Sequence, residues 1–259
     1  MDAIKQNSRA WDKKVEEGAV YTKAVSKDVI EKSRAGDWQI TVTTGKPVPR
    51  SWFPDSLAGL KVLCLASGGG QQGPVLAAAG ADVTVVDISA KQLEQDEFVA
   101  KRDGLNLKTL QCSMTDLSAF SNEEFDLIVH PVANVFVEDV RPVWNEASRV
   151  LKDKGTLISG FTNPLLFIFD DDEDRKGNLV VKNKIPGSTL DNLTIQQKEE
   201  YIRLNETVEF WHTLEDQIQG QIDAGMMITG LYEDDFGGRR PLDEYIQCFV
   251  ATRAVKLNV

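Results

Sequence analysis

The stretch from Leu60 to Gln92, LKVLCLASGGGQQGPVLAAAGADVTVVDISAKQ, constrains the fold more than any other part of the chain. It opens with an apolar run, Val62 to Ala66, short enough for a strand buried on both faces. A glycine cluster follows, Gly68-Gly69-Gly70, then Gln71-Gln72-Gly73. Small residues from Pro74 to Ala79 read as a helix stopped by Gly80. A second apolar run, Val83-Thr84-Val85-Val86, ends in Asp87. Strand, glycine turn, helix, strand and acid make up half of a nucleotide-binding sheet.

Each part has a chemical reason. Glycines let a backbone approach a ligand closely. The following helix points unpaired N–H groups at it. An acid ending the second strand can accept hydrogen bonds from both hydroxyls of a ribose. Gly68-x-Gly70-x-x-Gly73, with Asp87 at about the ~20-residue offset, matches the dinucleotide fingerprint. The same letters match the turn that holds S-adenosylmethionine (AdoMet), so the turn alone leaves both cofactors open.

Composition narrows the partners. A net charge of −11 opposes nucleic acid, and no Lys/Arg cluster stands out beyond Arg239-Arg240. A small-molecule partner is expected, with no nucleic acid and no membrane. No apolar run reaches the ~20 residues of a membrane span. The opening residues, MDAIKQNSRAWDKK, have no apolar core and do not read as a signal peptide. Cys64, Cys112 and Cys248 have no metal-ligand spacing and read as core thiols of a cytoplasmic protein. With 259 residues, one core with appendages is expected, residues 1–259 forming a single domain.

Along the chain, residues 1–58 precede the first core strand. Ser26 is placed to cap a helix from Lys27 to Ala35, stopped by Gly36. Trp11, Trp38, Trp52 and Phe53 make this segment rich in aromatics. It reads as a cap over the mouth of the cofactor site, with Trp11, Trp52 and Phe53 as candidate substrate contacts; the plainer reading is that these aromatics dock the segment on the core. After Asp87, Ser89 and Gln92 form a capping box for a helix ending at Gly104. Leu107–Cys112 and Phe125–His130 read as strands three and four. Val140, Val143, Trp144, Ala147, Val150 and Leu151 are spaced as a helix, and Lys154-Gly155 turns into a fifth strand, Thr156–Phe161.

Residues 162–206 break the alternation and read as a lid insertion. Leu165–Phe169 and Leu179–Ile185 are expected to pair as a hairpin around Asp170-Asp171-Asp172-Glu173-Asp174. That acid run reads as a solvated tip rather than a metal site, and no metal is expected. Thr213 to Asp216 caps a further helix, with Trp211, Leu214, Ile218 and Ile222 on one face and Gly225 as its stop. Met226–Tyr232 and Tyr245–Ala254 read as two final strands. The fold expected is α/β, a Rossmann-like doubly wound sheet of about seven strands with an antiparallel last strand, an N-terminal cap and an insertion after strand five.

With these segments in place, residues 58–254 resemble the class I AdoMet-dependent methyltransferases, in the small-molecule, type 11-like branch. VLCLASGGG resembles that family's first motif, VTVVDIS its second, FDLIVHPVAN the fourth-strand motif, EASRVLKDKGTLI the helix-to-strand turn, and WHTLEDQIQGQIDAGMMITGLYED the last helix and sixth strand. The resemblance implies in-line methyl transfer from AdoMet to a small-molecule acceptor. It carries cofactor contacts onto Ala66, Ser67, Gly68, Asp87, Ile88, Ser113, Met114 and His130; Gln71 and Gln92 complete the candidate set. Three positions depart from the family. Cys64 stands where an acid is usual, Ala66 replaces the first glycine, and Ser113 replaces an acid near the adenine. No catalytic residue is assigned; His130 and His212 are candidates by position, His212 also as a substrate contact. The alternatives are an NAD(P)-dependent oxidoreductase and a non-catalytic AdoMet-binding protein. An antiparallel last strand inserted beside the sixth favours the methyltransferase over the oxidoreductase.

Overall fold

The computed structural model describes residues 2–258. Seven strands form one sheet. They are β1 (Lys61–Leu65), β2 (Asp82–Asp87), β3 (Leu107–Gln111), β4 (Phe125–His130), β5 (Leu151–Thr162), β8 (Met226–Asp234) and β9 (Phe249–Lys256); β6 (Gly187–Ser188) and β7 (Phe210–Trp211) pair separately. The order is β3-β2-β1-β4-β5-β9-β8. The first five strands are parallel, and β9 runs antiparallel to both β5 and β8. The last strand of the chain is therefore inserted beside the sixth, as the methyltransferase reading requires.

The helices are α1 (Ala3–Glu16), α2 (Lys27–Arg34), α3 (Gln72–Ala78), α4 (Ala90–Asp103), α5 (Arg141–Val150), α6 (Leu165–Ile168), α7 (Asp171–Asp174), α8 (Ile195–Arg203) and α9 (Gly220–Asp223). β1 and β4 are buried along most of their length because helices or loops cover both faces of the sheet. One face packs Val62, Cys64 and Val129 against α3, Leu93 of α4, and Trp38, Ile40, Val42, Val48 and Phe53 of the N-terminal segment. The other packs Leu63, Leu65 and Ile128 against Val143, Trp144, Ala147 and Val150 of α5. Gly160 of β5 lets the N-terminal segment lie directly on the sheet: a Cβ there would sit 1.9 Å from the Val42 carbonyl oxygen.

Several boundaries and one motif differ from the sequence reading. Leu165–Ile168 is a helical turn, so the expected hairpin around the acid run shrinks to one antiparallel bridge, Phe169 with Val181. The acid run is α7, started by the Asp170 carboxylate accepting the Asp172 and Glu173 N–H groups. Charge pairing explains it: Arg175, Lys176 and Lys182 each meet one of these acids, and Arg240 meets both Asp171 and Asp174. The Lys154-Gly155 turn is a bulge within β5, which already begins at Leu151. Thr213 and Asp216 do cap reciprocally, but the helix opens with a π turn, Glu215–Gln219. The wider turn rotates the face, so Gln217, Gly220 and Gln221 are buried while Leu214 and Ile222 are exposed. Gly220 packs there on Trp144, whose Nε1–H donates to the Asp216 carbonyl.

Candidate active site

β1 ends in a tight turn. Ala66 takes φ of +47°, a left-handed conformation that disfavours any Cβ, where a glycine would be unstrained. Ser67 N–H then donates to the Val86 carbonyl, and Ser67 Oγ donates to Gln72 Oε1. The next three amides are taken by two carboxylates. Gly68 N–H donates to Asp87 Oδ2 at 3.0 Å. Gly69 N–H and Gly70 N–H donate to Asp96 Oδ2 at 3.0 and 3.1 Å. The turn lies so close to α4 that a Cβ on Gly68 would sit 2.7 Å from Gln92 Cβ. From outside, residues 20–25 strap the turn: Val25 N–H donates to the Gly70 carbonyl, and Gln71 Nε2 donates to the Tyr21 and Lys23 carbonyls.

Asp87 is 8% exposed. Its Oδ1 accepts Ser89 N–H and its Oδ2 accepts Gly68 N–H, so each oxygen retains accepting capacity. Burial pushes its pKa up to about 6, against the opposing pull of those amides. Ser89 caps α4 by accepting Gln92 N–H, but Gln92 does not close the box: Ser89 N–H goes to Asp87, and Gln92 Oε1 is buried without a partner.

Beside Asp87 lies a cavity of about 360 Å³, lined by Ile88, Gln111, Cys112 and Ser113 from the sheet edge and by α1 residues including Ile4 and Ser8. Ser8 Oγ and Gln111 Nε2 both donate to the Ile88 carbonyl. Met114 packs inward with Leu63 and Leu65 instead of lining this cavity.

His130, at the end of β4, is fully buried. Its Nδ1–H donates to the Leu65 carbonyl at 2.8 Å, and its Nε2 lies 2.7 Å from Oδ1 of the Asn134 side-chain amide. Burial lowers its pKa. Asn134 also bonds Gln217 Oε1 through Nδ2 and accepts His212 Nε2–H at its carbonyl. Burial lowers the His212 pKa too. Trp11 meets the edge of Phe136 in the same loop, at 5.3 Å between centroids. His130, His212 and Trp11 therefore converge on residues 134–136. Trp52 and Phe53 do not join them: Trp52 packs on Gly230 and Tyr232 of β8, and Phe53 meets Trp38 in the core.

Asp96 lies outside the motifs, and Asn134 and Gln217 lie inside the fourth-strand and last-helix motifs without being candidate site residues. Asp96 had a signal: it shares the buried face of α4 with Gln92, Leu93 and Val99, at i, i+1, i+4 and i+7. A charge on that face, next to a glycine turn, needs a partner.

Comparison with known proteins adds a second line. Residues 63–159 match the family model described as "Methyltransferase domain". The uncharacterized methyltransferase YbaJ of Bacillus subtilis is 58% identical over 98% of both chains. The chain belongs to the class I AdoMet-dependent methyltransferases. An AdoMet-dependent methyltransferase from Mesorhizobium loti superposes with a TM-score of 0.61 at 17% identity, over 80% of this chain and 95% of that one. The Burkholderia thailandensis 1,6-didemethyltoxoflavin-N1-methyltransferase, solved with 1,6-didemethyltoxoflavin and S-adenosylhomocysteine, superposes at 0.53 with 11% identity, over 78% and 72%. The oxidoreductase alternative falls on the structure of this methyltransferase itself. Its β9 is inserted antiparallel, and the Gly69 and Gly70 amides that would face a pyrophosphate are held by Asp96.

Proposed function

We propose that this methyltransferase holds AdoMet along the carboxyl ends of β1, β2 and β3 and methylates a small-molecule acceptor. The observation that carries the placement is Asp87: a buried carboxyl whose two oxygens keep accepting capacity, at the end of β2 beside the Ile88–Ser113 cavity. These residues fit the cofactor. Asp87 accepts from ribose hydroxyls, Ile88 and Ser113 border the adenine, and the turn from Ala66 to Gly68 supports the amino-acid end. When bound, AdoMet supplies a methyl group already activated on a sulfonium, so the protein's task is mainly positioning.

His130 Nδ1–H holds the Leu65 carbonyl while Nε2 abuts the Asn134 side chain, which ties the exits of β1 and β4 together. Fully buried, with Nδ1–H committed to Leu65 and Nε2 closed off by the Asn134 side chain, it orients the site and is not placed as a base. The acceptor space lies between residues 1–58 as a cap and residues 162–206 as a lid, with Trp11 and His212 on its side of Asn134. A small acceptor is supported by the net charge of −11 and by the small-molecule ligand of the Burkholderia structure. A cytoplasmic setting is supported by three unpaired cysteines. Among the described residues no helix is long and apolar enough to cross a membrane.

The test is to incubate the protein with methyl-labelled AdoMet and fractionated cell extract. Label should enter the small-molecule fraction, and Asp87→Ala should abolish it. Label entering protein or nucleic acid instead would contradict the acceptor class.

A further inference from the structure

We propose that Asp96 is a positioning residue of the AdoMet turn, supplying from α4 the acid that the family carries on the first strand and that is Cys64 here. The proposal rests on the AdoMet reading above and concerns how this chain holds that turn without the usual acid.

The geometry is specific. Asp96 is fully buried, and one oxygen, Oδ2, accepts two successive turn amides, from Gly69 and Gly70. Those amides have few other acceptors: Gly69 N–H is shared with the Gln92 carbonyl, and the Gly70 carbonyl, not its amide, meets the outer strap at Val25. Removing Asp96 therefore leaves Gly70 N–H without an acceptor and Gly69 N–H with the Gln92 carbonyl alone, a cost that falls on the backbone of the turn. Cys64 lies on the neighbouring strand, fully buried, and its thiol is raised by burial and by the Asp96 carboxyl beside it. The two side chains feel each other's charge beneath the turn, and the combined variant below asks whether an acid at position 64 serves the same amides.

The second oxygen of Asp96, Oδ1, is buried with no partner. That is where a proton resides when the group is neutral, and burial pushes the pKa up to about 8. The titratable groups facing it are Asp87 from β2, whose charge opposes ionisation, and Cys64 from β1; the turn itself presents backbone amides. At neutral pH the residue is thus a neutral double acceptor. Asparagine reproduces that arrangement, and alanine does not.

The experiment uses three variants of the full chain: Asp96→Asn, Asp96→Ala, and Asp96→Ala combined with Cys64→Asp. Two readouts are taken. Amide resonances of Gly69 and Gly70 in the cofactor-free protein should titrate near pH 8 in the wild type, lose that titration in Asp96→Asn, and shift strongly in Asp96→Ala. Calorimetry with AdoMet should show Asp96→Asn within about threefold of wild type and Asp96→Ala weaker by about thirtyfold or more. The double variant should regain about tenfold over Asp96→Ala, which a merely structural loss would not allow. Should Asp96→Ala not fold, Asp96→Ser takes its place, because its short hydroxyl cannot span both amides. A folded Asp96→Ala that binds within about threefold of wild type, unmoved Gly69 and Gly70 resonances, or a double variant no better than the single would each overturn the proposal. A wild-type protein that fails to bind AdoMet would instead refute the functional reading, while the amide resonances still judge the clamp.

Discussion

Asp87→Asn separates what the site needs from what the fold prefers. The Asp87 carboxyl has its pKa raised from 3.8 to about 6, chiefly by burial, and the side chain is 8% exposed, so solvent screening does little to reduce the effect. Between those two values the folded chain binds more protons than the unfolded one, so stability falls as pH rises through roughly 4 to 6 and the full penalty persists above. Two units correspond to about 3 kcal/mol. Asparagine cannot ionise and escapes that penalty. It cannot accept from both Gly68 and Ser89, however, because its amino group faces one of these donors, which costs about 1 kcal/mol or more. The net expectation at pH 7.5 is a cofactor-free protein more stable by about 1–2 kcal/mol, with the gain gone by pH 4. AdoMet affinity should fall about a hundredfold, since hydrogen bonds to a charged acceptor are worth roughly twice neutral ones. Urea denaturation at both pH values and calorimetry on the same samples give both quantities. A variant less stable than wild type at pH 7.5, or equally shifted at both pH values, would refute the reasoning about burial.

Three further substitutions probe the scaffold. Gly160→Ala places a Cβ 1.9 Å from the Val42 carbonyl oxygen, so it should destabilise by about 3 kcal/mol or more and lower the melting temperature; an unchanged melting temperature would mean the 40–48 segment does not lie on β5. Arg240→Ala leaves Asp174, whose side chain is 1% exposed, without its charge partner, and should cost about 3–5 kcal/mol locally. Limited proteolysis should then cut within 162–206 well before the core, and unchanged cleavage would contradict it. Ala66→Gly relieves φ of +47° and should be neutral to stabilising by up to about 1 kcal/mol in denaturant melts, after the entropy of a glycine is charged against it; a loss above that would show no strain at Ala66.

The central sheet was legible because its signals are local. β1, β2 and β4 are largely apolar runs, a glycine cluster follows β1, and the acid ending β2 stands where the alternation puts it. Ser26 and Ser89 cap as their spacing suggests. The elements that were not legible are held by polar contacts over long sequence distances. α1 buries Gln6, Asn7 and Ala10, not an apolar stripe, and Asn7 docks it by bonding Phe136 and Val208. α8 has no buried residue at all, only a capping box at Thr194 and Gln197, and so has no hydrophobic period to read. The helix after Thr213 hid its buried face because one π turn shifts the period. The candidate site divides the same way. Asp87, Ile88 and Ser113 follow from motif position, whereas Asp96 and Asn134 act through partners 26 and 83 residues away.

The measurement that tests the account most directly is calorimetric titration of the wild-type chain with AdoMet, S-adenosylhomocysteine and NADH, repeated on Asp87→Ala. The account predicts saturable binding of AdoMet and S-adenosylhomocysteine at a single site, its loss in the variant, and no heat from NADH. Binding of NADH, or AdoMet binding untouched by the loss of Asp87, would contradict it.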